Sequence, residues 1–333
     1  MTASQHDTDA VISAAGLTKR FGQIEAVKGI DLDVRRGEIF GFLGPNGAGK
    51  STTINILCTL LRPTSGDAAV AGYDVVARPD DVRGAIGLVF QDPSLDAQLT
   101  ARENLQFHAF IYGVPAGERR ERIAEVLEMV ELTERADSVV MTFSGGMKRR
   151  LEIARGMLHT PEVLFLDEPT IGLDPQTRRH IWAYLRRLRD ERGVTLFMTT
   201  HYMDEAEECD RIAIIDGGQI VALGTPIELK AMVGGDVVTL GTGDNATAAD
   251  EIRRVFGIEP IVDNGTLRVE VPDGAEFIPR VVRETSVPVT SVSAHRPSLD
   301  DVFLKLTGHA IREEAAAGNE MMKMWARAQR GRR

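Results

Sequence analysis

Leu32 and Val34 alternate with Asp31, Asp33 and Arg35, the period of a half-exposed strand, and the whole stretch from Val11 to Val34 reads as short strands. Ile39-Phe40-Gly41-Phe42-Leu43 is a continuous apolar run of buried-strand length. It stops at a glycine-rich turn, after which Lys50 to Leu61 has a helical pattern. Further buried strands are predicted at Ile86–Phe90, Val163–Leu166 and Thr195–Met198, with helices over 145–159 and 175–192. Strands alternating with helices predict an α/β fold with a parallel sheet covered on both faces. The charged stretch 97–135 reads as wholly helical and defines a helical subdomain over about 92–159.

The character changes near residue 224. Thr225-Pro226-Ile227-Glu228 has Thr at the N-cap, Pro at N1 and Glu at N3, a capping box that opens a helix. Beyond it the pattern predicts a strand at 236–242, a helix at 247–256, strands at 260–263 and 266–271 around Asp263-Asn264-Gly265, a helix at 275–285 and a strand at 287–294. That βαββαβ order predicts a small α+β domain of ferredoxin-like type over 225–309. A last helix should start at a Ser298–Asp301 cap and end before Gly308, with Leu299, Val302, Phe303 and Leu306 forming one apolar face. Residues 1–10 read as a loose tail, and 310–333 as a basic one.

Composition narrows the function. The 333 residues hold 39 Lys and Arg against 49 Asp and Glu, a net charge of −10, which argues against nucleic acid as partner. No apolar run approaches the length that spans a bilayer, and the polar start MTASQHDTDA lacks the apolar core of a signal peptide. The two cysteines, Cys58 and Cys209, fit no metal spacing and read as packing residues in a reducing compartment.

The chemistry concentrates at a few places. Gly44-Pro45-Asn46-Gly47-Ala48-Gly49-Lys50-Ser51, followed by Thr52, matches the phosphate-loop pattern G-x-x-x-x-G-K-[ST] between a strand and a helix. Glycines let successive backbone N–H groups face the phosphates, and the helix start adds its positive dipole end. Lys50 should reach the β- and γ-phosphates, and the Ser51 hydroxyl should ligate Mg²⁺. In Leu164-Phe165-Leu166-Asp167-Glu168, Asp167 ends a buried strand where it can hold Mg²⁺, and Glu168 is the candidate general base that orients water. Ser144-Gly145-Gly146 opens a helix and makes a second anion site, best explained if it meets a nucleotide bound to another copy of the chain.

These residues resemble the motifs of the ATP-binding cassette (ABC) ATPases over 11–224. Gly44–Thr52 is similar to Walker A and Leu164–Glu168 to Walker B. Gln91 matches the Q-loop, and Phe143–Met147 the Leu-Ser-Gly-Gly-Gln signature, with Phe and Met at its ends. Ile171-Gly172-Leu173-Asp174 matches the D-loop, His201 the switch histidine, and Phe21 the aromatic platform for adenine, with Val27 beside it. The resemblance implies a P-loop fold with a RecA-like core plus antiparallel β and helical subdomains. It also implies ATP and Mg²⁺ as cofactors and a head-to-tail dimer clasping ATP between Walker A of one subunit and Ser144–Gly146 of the other. Asp174 would lie at that nucleotide, His201 would contact the γ-phosphate, and Gln91 would ligate Mg²⁺ and pass motion to helices 97–135, which in transporters of the family receive the membrane subunit. Met147 removes a polar side chain beside the nucleotide, which predicts slower hydrolysis.

Residues 225–309, ending in Arg296-Pro297-Ser298-Leu299-Asp300-Asp301-Val302-Phe303-Leu304, resemble the C-terminal domain of daunorubicin-resistance-type export ATPases, and the stretch Thr200–Glu207 points to the same exporters. This implies the ATP-hydrolysing subunit of a bacterial drug or lipid exporter, bound to a separate polytopic permease at the cytoplasmic face of the plasma membrane. An importer ATPase and a soluble ABC protein acting on ribosomes remain the alternatives. The stretch 323–333 carries five positive and no negative charges, and with Met321, Met324, Trp325 and Ala328 on one face it could either lie on anionic lipid or stay solvated.

Overall fold

The computed structural model describes residues 9–92, 94–263 and 265–308. The N-terminal tail before Asp9, Asn264 of the turn, and the basic tail from 309 lie outside the described residues. Asp9 and Ala10, expected in the loose tail, belong to the fold: the Asp9 carbonyl accepts from Arg36 N and Ala10 opens the first strand.

Strands β1 (Ala10–Phe21) and β2 (Ile24–Arg35) pair as an antiparallel hairpin. β3 (Ile39–Leu43), buried at every position, runs through the phosphate-loop sequence into α1 (Lys50–Leu57). α1 stops short of the expected Leu61 because the chain turns left-handed at Thr59, φ 62°, a conformation a helix cannot continue through. β4 (Ser65–Val70) and β5 (Tyr73–Asp74) complete a four-stranded sheet ordered β2-β1-β4-β5.

α2 (Pro79–Ala85) leads into β6 (Ile86–Val89), then α3 (Ala101–Ile111), α4 (Arg119–Met129) and α5 (Gly145–Gly156). The stretch expected to be wholly helical is therefore broken. Gly113 at φ 71° ends α3, and Pro115, two residues on, lacks the N–H that would continue it. β7 (Val163–Asp167), α6 (Pro175–Arg192), β8 (Thr195–Thr200), α7 (Met203–Ala206), β9 (Arg211–Asp216) and β10 (Gln219–Gly224) complete the core. The main sheet is ordered β10-β9-β3-β8-β7-β6, parallel from β9 to β6 with only β10 antiparallel. Phe40, Phe42 and Phe165 surround Phe197 at centroid distances of 5.4 to 5.6 Å and seal one face of the sheet against α1 and the antiparallel layer. The helices from α3 to α6 cover the other face.

α8 (Pro226–Ala231) begins at the predicted capping box. β11 (Asp236–Thr242), α9 (Asn245–Phe256), β12 (Ile261–Asp263), β13 (Thr266–Val271), α10 (Gly274–Glu284) and β14 (Val289–His295) follow, and the sheet is ordered β12-β13-β11-β14 with every neighbour antiparallel. This is the split βαβ sandwich of ferredoxin-like type. α11 (Leu299–Thr307) starts at the Ser298–Asp301 capping box and ends at Gly308. Its Leu299, Val302 and Phe303 enter the same core cluster as the helices on the main sheet. Leu306, expected on this face, is 39% exposed, and Leu304, at 4%, is buried instead.

Candidate functional site

The residues expected to carry chemistry lie at the C-terminal ends of parallel strands, where open α/β sheets bind ligands. Leu43 pairs with Thr200 and Asp167 with Thr199, so the ends of β3, β7 and β8 stand side by side. After Leu43 two glycines leave no room for a side chain. A Cβ on Gly44 would lie 2.3 Å from the Ile215 carbonyl oxygen, and one on Gly49 2.6 Å from that of Ala26. Gly47 and Gly49 take φ of 83° and 108°, open to glycine at no steric cost. Lys50 opens α1 with its side chain 95% buried, and Nζ donates to the carbonyls of Gly44 at 2.7 Å and Pro45 at 3.1 Å. The loop thus presents an ammonium group and a helix N-terminus in one cradle, a combination suited to phosphate.

Opposite this cradle sit the two carboxylates. Thr199 Oγ1 donates to Asp167 Oδ1 at 2.5 Å and accepts from Glu168 N at 3.0 Å, so one hydroxyl fixes both. Glu168 is buried and has φ 45°, a left-handed conformation costing a non-glycine residue about 1–2 kcal/mol. Its Oε1 lies 3.1 Å from His201 Nδ1 and 3.7 Å from Lys50 Nζ. Burial alone would raise the Glu168 carboxyl, but the hydrogen bond to His201 and the charge of Lys50 outweigh it and hold it below the ordinary carboxylate range. Burial lowers the Lys50 ammonium, offset in part by Glu168 and Asp167. Burial raises the Asp167 carboxyl against the pull of Thr199 and Ser51. Ser51, at the start of α1, and Asp167, at the end of β7, offer hard oxygen donors, a set that fits Mg²⁺.

Lys50, Ser51, Asp167, Glu168 and His201 are therefore brought together. Gln91 is exposed just beyond β6, and Thr52 is half-buried in α1. Ser144 caps α5, its hydroxyl accepting from Met147 N at 3.3 Å. Met147 packs partly against the core. Gly145 approaches Leu173, and a Cβ on Gly146 would meet Thr177 at 2.4 Å. The Asp174 carboxylate caps α6, accepting from the N–H groups of Gln176 and Thr177 and from the Thr177 hydroxyl. Phe21 offers an exposed ring, whereas Val27 is completely buried in the core under the hairpin.

Three residues that sequence reasoning passed over belong to this site. Thr199 holds both carboxylates. Glu205, fully buried, accepts from the hydroxyls of Thr200 (2.7 Å) and Thr170. Arg149, buried on α5, donates to three main-chain carbonyls near Glu168. Their only signal was polarity at positions the hydrophobic pattern places inside.

The chain matches the ABC transporter family over residues 27–171 and the C-terminal domain of DrrA1-3-like ATP-binding proteins over 224–307. It is 42% identical to the daunorubicin resistance ATP-binding protein DrrA3 of Streptomyces coeruleorubidus, over 93% of this chain and 99% of that one. It is 40% identical to the linearmycin resistance ATP-binding protein LnrL of Bacillus subtilis, over 91% and 100%. Among solved structures it is similar to the ATP-binding cassette MJ0796, in a dimeric post-hydrolysis state bound to ADP and Pi, with a TM-score of 0.58 and 32% identity over 64% of this chain and 98% of that one. Among the described residues no helix is long and apolar enough to cross a membrane. The chain belongs to the ATP-binding proteins of ABC transporters, in the branch that carries a DrrA-like C-terminal domain.

Proposed function

We propose that this chain is the ATP-hydrolysing subunit of a bacterial exporter of drug or lipid type, working as a head-to-tail dimer on a separate membrane permease. The observation that carries the hydrolytic part is the convergence of Lys50, Glu168 and His201 within hydrogen-bond or ion-pair distance beside the phosphate cradle. The exporter branch is supported by the DrrA-like match over 224–307.

In this reading the cradle N–H groups and Lys50 bind the β- and γ-phosphates, and Phe21 stacks on adenine. Ser51, Asp167 and Gln91 would hold Mg²⁺, which supplies charge neutralisation at the phosphates when bound. Glu168, kept ionised by His201 and Lys50, accepts a hydrogen bond from the attacking water and orients it in line. His201 holds the carboxylate and reaches the γ-phosphate. Ser144, Gly145 and Gly146, at the N-terminus of the twelve-residue helix α5, clasp the nucleotide of the second copy together with Asp174.

The permease would dock on the helical subdomain. Phe107, Phe110 and Ile111 sit at i, i+3 and i+4 on α3, each more than half exposed, an apolar stripe of the kind a partner helix covers. In this reading the chain works at the cytoplasmic face of the membrane, and the basic tail would meet anionic lipid. The permease, with its own binding cavity, chooses the substrate.

Affinity capture of the chain from detergent-solubilised native membranes tests this. A stoichiometric polytopic membrane protein, lost on F110D while the ATPase rate of the subunit alone persists, is the expected result. Recovery with ribosomes or with no membrane partner would overturn the transporter reading, and a permease fed by an external binding protein would point to import.

A further inference from the structure

Helix α5 joins the Ser144 end to the interior with three buried charged residues, Arg149, Glu152 and Arg155. Arg155 pairs with Glu152 at 2.9 Å and donates to the Leu88 carbonyl and to Ser94 Oγ, and Glu152 accepts from Ser94 N at 2.7 Å. These contacts anchor the chain on both sides of Gln91. Arg149 does something different. Its Nε donates to the Pro169 carbonyl at 2.6 Å, its Nη2 to the Asp167 carbonyl at 3.0 Å, and its Nη1 to the Phe90 carbonyl.

Asp167 and Pro169 flank Glu168, and Phe90 precedes Gln91. A single guanidinium therefore grips the peptide on either side of the candidate base and the main chain leading to the Q-loop residue. Glu168 is a non-glycine residue at positive φ, and such strain persists only where the surroundings over-determine it. Thr199 holds its N–H, and Arg149 holds the carbonyls before and after it. The planar fork reaches the three carbonyls from three separate nitrogens, Nε, Nη1 and Nη2, whereas the three donors of a lysine sit on one atom. Burial brings the Arg149 guanidinium down to about 10, so it remains charged at neutral pH.

We infer that Arg149 is a positioning residue for hydrolysis: it fixes the Glu168 main chain and connects it to Gln91 and to the Ser144 end of its own helix. Clasping of the second subunit's nucleotide at Ser144–Gly146 is thereby registered at the Glu168 carboxylate of the same chain. This rests on the ATP-hydrolysis reading above, which the wild-type control tests separately: wild-type protein without turnover removes that reading, whatever Arg149 does.

The experiment is steady-state ATP turnover of the full chain carrying R149K, normalised to the nucleotide-binding fraction. The expected result is a kcat at least about tenfold lower with a KM for ATP within about twofold of wild type, the split expected when the base is misplaced and the phosphate cradle is intact. A wild-type kcat, or a KM that rises as kcat falls, overturns the inference. If R149K does not fold, dimers mixed from wild-type and S144R subunits decide. Turnover well below half of wild type supports the relay, and one half contradicts it.

Discussion

His201 Nδ1 lies 3.1 Å from Glu168 Oε1 at the ends of two adjacent parallel strands. The contact decides the charge of the site. Desolvation is the largest influence on the Glu168 carboxyl and acts upward, yet the partners on His201 and Lys50 bring it below its ordinary value. A depressed carboxyl contributes stability above its unfolded pKa, lost as pH falls through the folded one. Replacing His201 with Ala removes the first of the opposing partners, so the carboxyl rises. The acid limb of the pH–rate profile then moves to higher pH, and kcat falls by roughly a hundredfold. A pH–rate series on H201A against wild type checks this.

Lys50 is the second partner, its Nζ 3.7 Å from Glu168 Oε1. Lys50→Ala removes a charge-assisted contact to phosphate worth about 1.5–3 kcal/mol, or roughly 10- to 150-fold in nucleotide affinity. Titration with a fluorescent ATP analogue reads it directly.

At Gly44 the cradle tolerates no added volume. Gly44→Ala would drive a Cβ to 2.3 Å from a main-chain carbonyl, where no side chain can give way. The loop must shift, so G44A should lose nucleotide binding and lower the melting temperature, whereas Gly22→Ala, with open space around the Cβ and strain only from its left-handed φ of 58°, should retain binding. Thermal melts with and without ATP separate the two.

Asp301 holds the last helix in place. Its carboxylate, almost fully buried, accepts from Ser298 N, Ser298 Oγ and His295 Nε2 at 2.7 to 3.0 Å, and from Arg268. Asp301→Ala removes the shared acceptor of a cap and a buried ion pair, a loss of about 3–5 kcal/mol. Denaturant unfolding should show that loss, and α11, which inserts Phe303 into the core, should exchange its amide hydrogens faster.

Punctuated elements were legible in the sequence. Asp174 and Pro175 open α6, and Gly193 at φ 65° closes it, so the helix runs over the predicted 175–192. The strand expected at 236–242 is β11 over Asp236–Thr242. The end of α1 was not legible, because Thr59 adopts a left-handed turn that threonine disfavours on its own and only tertiary contacts impose. The phosphate loop, the two carboxylates and His201 were readable because motif spacing and strand ends locate them. Thr199, Glu205 and Arg149 were not, since each acts through partners distant in sequence: the Arg149 acceptors lie 18, 20 and 59 residues away.

The measurement that tests the central claim most directly is the mass and turnover of Glu168→Gln with ATP and Mg²⁺. Glutamine keeps the shape of the side chain but cannot accept a proton from water at neutral pH. The account predicts that E168Q binds ATP as tightly as wild type, loses turnover by at least about a hundredfold, and accumulates as a dimer of twice the chain mass. A monomer hydrolysing ATP at the wild-type rate would contradict it.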